Sequence, residues 1–101
     1  MMHAPIVHTG SAYVRGHYRD ADAVWLWFLG IFRHLGVTVI GVQRFDFPGG
    51  GLSGVVMLAE SHAAIHTWPE HATAWVEIAT CSSEQDVTRF LHLVSDGPQL
   101  P

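Results

Sequence analysis

The dipeptide Glu60-Ser61, with Ser53 eight residues before Ser61 and His66 five residues after it, supplies the side chains a peptide needs to break itself. A Ser61 hydroxyl held against the Glu60 carbonyl can attack it, turning the amide into an ester by an N-to-O acyl shift. A base must then take the Cα proton of Ser61. Elimination leaves Glu60 with a free carboxylate and residue 61 as dehydroalanine, which loses ammonia in water and becomes a pyruvoyl group. A histidine suits the proton step because imidazole changes charge near neutral pH, which makes His66 the candidate base. Ser53 can donate a hydrogen bond to the developing oxyanion. Taken singly, Ser53 and Ser61 also fit ordinary strand or turn serines, His66 a core histidine, and Cys81 a small buried hydrophobe.

A self-made carbonyl matters in this chain because all five basic residues are arginines, at positions 15, 19, 33, 44 and 89. With no lysine there is no internal amine to hold pyridoxal phosphate, the usual electron sink for amino-acid decarboxylation.

The elements that must position these residues follow from periodicity and punctuation. His8 to Tyr18 reads as a first strand. Asp20 or Asp22 caps a helix over Ala21 to Leu35, which Gly36 ends. Val24, Phe28, Ile31 and Leu35 share one helical face, with Trp25, Leu29 and Phe32 beside them. Val37 to Phe47 is a β-branched strand closed by Pro48-Gly-Gly-Gly51, and Ser53 to Glu60 another. Its continuous run Val55-Val-Met-Leu-Ala59 is expected to be buried on both sides. His62 to Trp68 is extended, since Pro69 disfavours a helix there, and alternation places His62, His66 and Trp68 on one face. Trp75 to Thr80 is a last strand, and Ser82 or Ser83 caps a helix over Glu84 to Val94. The order β-α-β-β-β-β-α describes an α+β domain, an antiparallel-rich sheet with helices on one face. Its other face must meet something, and pairing with a second copy into an α/β/β/α sandwich-like dimer is the simplest solution.

Composition narrows the partners. A chain of 101 residues is one small domain with little core to spare, 49% hydrophobic and 14% charged, and so not a disordered chain. A formal charge of -4 with scattered arginines leaves no basic stripe, so nucleic acid is not expected as a partner. One cysteine forms no internal disulfide, and Met-Met-His-Ala-Pro lacks the features of a signal peptide. The apolar run Ala23 to Phe32 is too short to span a membrane, and a cytoplasmic location is expected.

The segment Leu58-Ala-Glu-Ser-His-Ala-Ala-Ile-His-Thr-Trp-Pro-Glu70, with Ser53 upstream and Thr80-Cys81 downstream, resembles the self-cleaving core of the prokaryotic S-adenosylmethionine decarboxylase family. That resemblance implies a single pyruvoyl-dependent domain over 1–101, cut into 1–60 and 61–101. The pyruvoyl group derived from Ser61 would be its cofactor and would condense with a substrate amine. His66 would be the processing base, Ser53 its helper and Cys81 the donor that returns a proton to the substrate carbanion. Phe47 would stack adenine and Glu70 would hold the ribose. The implied reaction is decarboxylation of S-adenosylmethionine in polyamine biosynthesis by a homodimer of cleaved protomers. Relatives that take arginine or ornithine are the alternative, and Asp46, Glu77 and the Glu60 carboxylate are available for their second cation.

Two readings lie in other classes. His62, His66, His71, Glu70 and Cys81 are zinc ligand types, but they lack a helical His-Glu-x-x-His pattern and Pro69 interrupts any helix there, so no metal is expected. A non-catalytic regulatory subunit that keeps the fold is the other, and an uncleaved chain would favour it.

Overall fold

In the computed structural model, which describes residues 6–99, the sequence forms one five-stranded sheet with two helices packed on a single face. The strands are β1 (His8–Arg15), β2 (Val39–Asp46), β3 (Leu52–Leu58), β4 (Ser61–Trp68) and β5 (Thr73–Thr80), and the helices α1 (Ala21–Leu35) and α2 (Glu84–Val94). Across the sheet the order is β1-β5-β4-β3-β2, with every neighbouring pair antiparallel. The α+β class and the β-α-β-β-β-β-α order match the sequence expectation. Residues 1–5, read above for a leader, lie outside the described residues.

Local chemistry sets the helix ends. Asp20 caps α1 by accepting from the Ala23 amide at 3.1 Å, and Gly36 closes it with φ of +74°, a conformation that costs a side-chain-bearing residue. Ser83 caps α2 by accepting from the Asp86 amide at 3.2 Å. The α1 stripe Val24, Trp25, Phe28, Ile31, Phe32 and Leu35 is buried, and Phe28 meets Phe32 and Phe90 edge-on, tying α1 to α2. Gly54 of β3 lies beneath Trp25, where a Cβ would overlap the indole.

Strand alternation decides the rest. In β3, Leu52, Val56 and Leu58 are buried, but Val55 is 47% and Met57 56% exposed. The expectation that Val55 to Ala59 is buried on both sides is therefore corrected: helices cover one face only, so every second residue of the run points away from them. That open face carries Tyr13, Phe45, Val55 and Met57 as exposed large side chains. Tyr13 and Trp75, opposite each other on β1 and β5, meet edge to face at 4.8 Å. No described helix is long and apolar enough to cross a membrane.

Tyr18, in the β1–α1 connection, is fully buried, and its hydroxyl donates to the Val14 carbonyl at 2.9 Å. Burial pushes its phenol up to about 12. A folded-state value above the unfolded one means that this part of the stability is present below about pH 10 and lost as pH rises towards 12. Tyr18→Phe is expected to cost about 1 kcal/mol at neutral pH through the lost hydrogen bond, and to shrink the alkaline loss. Urea melts at pH 7 and pH 10.5 test both; an unchanged alkaline loss in the variant would discard the assignment.

Candidate active site

β3 and β4 bring the first set of candidate residues together on the open face. Ser53 and His66 are register partners, and Ser53 Oγ lies 2.8 Å from His66 Nδ1. Beside them is a pocket of about 450 Å³ lined by Phe47, Gly50, Thr67, Trp68 and Glu70 as well as this pair. The glycine loop shapes its rim. Gly49, Gly50 and Gly51 all have positive φ, and a Cβ on Gly51 would come within 2.9 Å of the Thr67 carbonyl oxygen. The Phe47 amide donates to the Gly51 carbonyl at 3.0 Å, and the Leu52 amide to Thr67 Oγ1 at 2.9 Å, which fixes the loop against β4. Phe47 is thereby held edge-on to Phe45 with its ring still half exposed.

The second set gathers at the other end of β4. Leu58 and Ser61 pair across a tight hairpin whose turn is Ala59-Glu60, so the Glu60–Ser61 bond lies where the chain re-enters the sheet. The Glu60 carbonyl oxygen accepts from the Cys81 thiol at 3.1 Å and from the Cys81 amide at 3.4 Å. Ser61 Oγ donates to Thr80 Oγ1, its cross-strand partner on β5, at 2.6 Å.

The two sets do not meet within one chain. Five residue steps of strand separate Ser61 from His66, about 17 Å, and an odd offset sends the two side chains to opposite faces. Ser53, His66, Phe47 and Glu70 thus form one cluster, and Glu60, Ser61 and Cys81 another.

Charges around the pocket are also apportioned. Asp46 bonds Arg44 Nε at 2.6 Å, and Arg44 reaches Asp22 at 2.9 Å. The guanidinium holds the Asp46 carboxyl below the usual carboxylate range. Glu77 accepts from the Trp75 indole at 3.4 Å and lines a separate hollow with His62, Thr9 and Ser11. Among the described residues no three histidine, cysteine or carboxylate side chains converge on a metal position. The zinc candidates are dispersed: His66 is with Ser53, Glu70 and His71 are on the 3₁₀ turn Pro69–His71, His62 is in the hollow and Cys81 is at the hairpin.

Sequence reasoning placed Trp68 on the right face without making it part of the site, quoted Thr80 beside Cys81 without giving it a role, and passed over Thr67. Alternation along β4 and β5 was the available signal: Thr67 and Thr80 occupy core-facing positions that an apolar side chain would otherwise fill.

The sequence profile of S-adenosylmethionine decarboxylase matches residues 14–97, nearly the whole described chain. The chain belongs to the S-adenosylmethionine decarboxylase family. It is 38% identical over 65 residues to the S-adenosylmethionine decarboxylase proenzyme of Aquifex aeolicus, a match covering 64% of this chain and 48% of that protein. Against the proenzyme of Pyrobaculum aerophilum it is 53% identical over 47 residues, 46% of this chain and 37% of the relative. The crystal structure of the adenosylmethionine decarboxylase from Aquifex aeolicus superposes with a TM-score of 0.74 at 29% identity, covering 87% of this chain and 75% of that one. That fold likeness agrees with the five-stranded sheet and two helices described above. The matches to these proenzymes span about half their length or less.

Proposed function

We propose that this chain cleaves itself between Glu60 and Ser61, and that the two pieces, 1–60 and 61–101, form a pyruvoyl-dependent decarboxylase of S-adenosylmethionine serving polyamine biosynthesis. The observation that carries this reading is the grip on the scissile carbonyl: Glu60 O accepts both the Cys81 amide and the Cys81 thiol at a hairpin turn, in a chain of this family. Two donors aimed at a carbonyl oxygen favour the charge that appears there when Ser61 attacks. A residue just inside β4, half buried after the turn, is suitably placed to become a new chain end bearing a pyruvoyl group. Once formed, that group supplies the electron sink for loss of carbon dioxide from an amine-bearing substrate.

Phe47 and Trp68 offer ring faces to adenine and to a sulfonium, Glu70 a carboxylate to ribose hydroxyls, and a volume of about 450 Å³ suits a nucleoside-sized ligand. Of the three carboxylates available for the second cation of arginine or ornithine, Asp46 is taken by Arg44 and Glu77 lies in the other hollow, which leaves only that of Glu60.

The working unit in this proposal is a homodimer paired through the open sheet face. The exposed Tyr13, Phe45, Val55 and Met57 support it, and so does the separation within one protomer. With His66 about 17 Å from Ser61 along its own strand, a second copy must bring the Ser53–His66 pair to the first copy's Ser61. There His66 takes the Ser61 Cα proton, Ser53 assists, and Cys81 returns a proton to the substrate carbon.

Cys81 stands against the carbonyl that cleavage attacks, which gives it a part in processing as well as in turnover. A thiol is a weak donor, so Cys81→Ala is expected to slow cleavage only about tenfold, about 1.4 kcal/mol, and to impair turnover more severely. Time courses of cleavage by denaturing mass measurement test the first half, and an unchanged cleavage rate would remove the thiol from the processing step.

The function is tested by the denatured mass after incubation with S-adenosylmethionine, ornithine and arginine, separately, under cyanoborohydride. Two fragments, with an S-adenosylmethionine-derived adduct on the piece beginning at residue 61, are expected. An adduct from ornithine or arginine alone would replace the substrate. A single full-length mass without adduct would overturn self-cleavage and favour the non-catalytic subunit.

A further inference from the structure

Attack by Ser61 requires its hydroxyl to lose a proton, and within one chain His66 lies too far along β4 to take it. From Ser61 Oγ a continuous chain of hydroxyls leads away on the helix side of the sheet: to Thr80 Oγ1 at 2.6 Å, to Ser82 Oγ at 2.8 Å and to Asp86 Oδ2 at 2.6 Å. The proton order along it is fixed by elimination. An ionised carboxylate only accepts, so Ser82 spends its single proton on Asp86 and must accept from Thr80. Thr80 Oγ1 also accepts from the Ser82 amide at 3.1 Å, and it has one proton to give, which goes to Ser82. Ser61 is therefore a donor into a chain whose hydroxyls all point towards a negative charge.

The chain is built into the fold. Thr80 is buried beneath the sheet, opposite Ser61 in the ladder. Asp86 lies in the first turn of α2, where its other oxygen faces Arg89 at 3.6 Å and Oδ2 is left for Ser82. Arg89 in turn donates to the His34 and Leu35 carbonyls at the end of α1, so both helices hold the carboxylate in place.

We propose that Thr80, Ser82 and Asp86 form a relay that orients the Ser61 hydroxyl and takes its proton during the first step of self-cleavage, a role distinct from that of His66. The inference rests on the proposed self-cleavage at Glu60–Ser61. As the bond from Ser61 Oγ to the Glu60 carbonyl carbon forms, the Oγ proton passes to Thr80, the Thr80 proton to Ser82 and the Ser82 proton to the Asp86 carboxylate. The bond from the Glu60 carbon to the Ser61 nitrogen then breaks, that nitrogen takes a proton from water, and Asp86 returns its proton to water. One proton has moved in net from oxygen to nitrogen, and no oxidant or reductant is involved. Thr80, Ser82 and Asp86 act in the proenzyme alone, because the Ser61 hydroxyl no longer exists after the cut.

The test compares cleavage rates of the full chain and its variants by denaturing mass measurement, with melting temperatures taken in parallel. Ser82→Ala, Asp86→Asn and Thr80→Val are expected to slow cleavage at least about tenfold, while Ser82→Thr and Thr80→Ser, which keep a hydroxyl, stay within about threefold of the parent. Cut molecules of the slow variants should form the cyanoborohydride-trapped S-adenosylmethionine adduct as fast, per cut chain, as the parent. A parent that cleaves while Ser82→Ala and Thr80→Val cleave equally fast, or faster, overturns the relay and leaves the proposed function standing. A parent that does not cleave overturns both. Should Asp86→Asn fail to fold, the pair Ser82→Ala and Ser82→Thr decides alone.

Discussion

Ser61→Ala is expected to give a chain that stays whole: one mass of the full sequence, no fragment beginning at residue 61, and no amine adduct at any incubation time. No other nucleophile at the turn can substitute. The Cys81 thiol reaches the Glu60 oxygen, but an attack by it would leave residue 61 without the β-oxygen leaving group that the elimination needs. The fold should survive, since Ser61 contributes one side-chain hydrogen bond to Thr80, whose hydroxyl retains partners in the Ser82 amide and Ser82 Oγ. The loss is therefore complete for cleavage and small for stability, within about 1 kcal/mol. A Ser61→Ala chain that is cut at the parent's rate would sink the mechanism outright.

The second large effect concerns where His66 acts. His66→Ala alone is expected to slow cleavage by about 10²- to 10⁴-fold, the usual contribution of a positioned acid–base group. Mixing it with the uncuttable Ser61→Ala chain should restore cleavage in the His66→Ala molecules. In the proposed dimer, a mixed pair would bring their intact Ser61 against the partner's intact Ser53–His66 pair across the open face. Distinguishable masses for the two chains make the readout direct. If the parent cuts itself but the mixture does not, His66 does not serve a neighbouring copy, and the pairing of sheets would lose its main support. Restored cleavage that disappears on dilution would further tie it to association.

Much of this architecture was legible in the residues. Asp20, Gly36 and Ser83 marked helix ends with chemistry that tertiary contacts had no reason to override, and both helices fall on the expected residues. Strand parity was legible too, placing His62, His66 and Trp68 on a common face. The burial of Val55 to Ala59 was misread because an unbroken apolar run looks the same whether helices cover both faces of a sheet or one. For the site, the chemistry of the residues named Ser53, His66 and Ser61 and the family resemblance added Cys81; Ser53 and His66 do meet, and Cys81 stands on the carbonyl that precedes Ser61. That these form separate clusters was also implicit, since an offset of five along a strand separates both faces and ends. A linear motif hides this, because it counts residues and not directions. The hydroxyl chain to Asp86 was invisible for another reason: it depends on β5, the turn after it and the first turn of α2 lying against β4.

The strand order has a last consequence. A break after Glu60 leaves β1, α1, β2 and β3 on one piece and β4, β5 and α2 on the other, yet across the sheet the sequence of neighbours is β1-β5-β4-β3-β2. The shorter piece is wedged between the two arms of the longer one, hydrogen-bonded along both of its edges. Neither piece can leave without unzipping two ladders, β1·β5 and β3·β4, within the sheet. Before the break, unfolding involves one molecule. Afterwards it parts two molecules, and reunion depends on their concentration. Cutting would thus make the sheet last only as long as two separate molecules stay together.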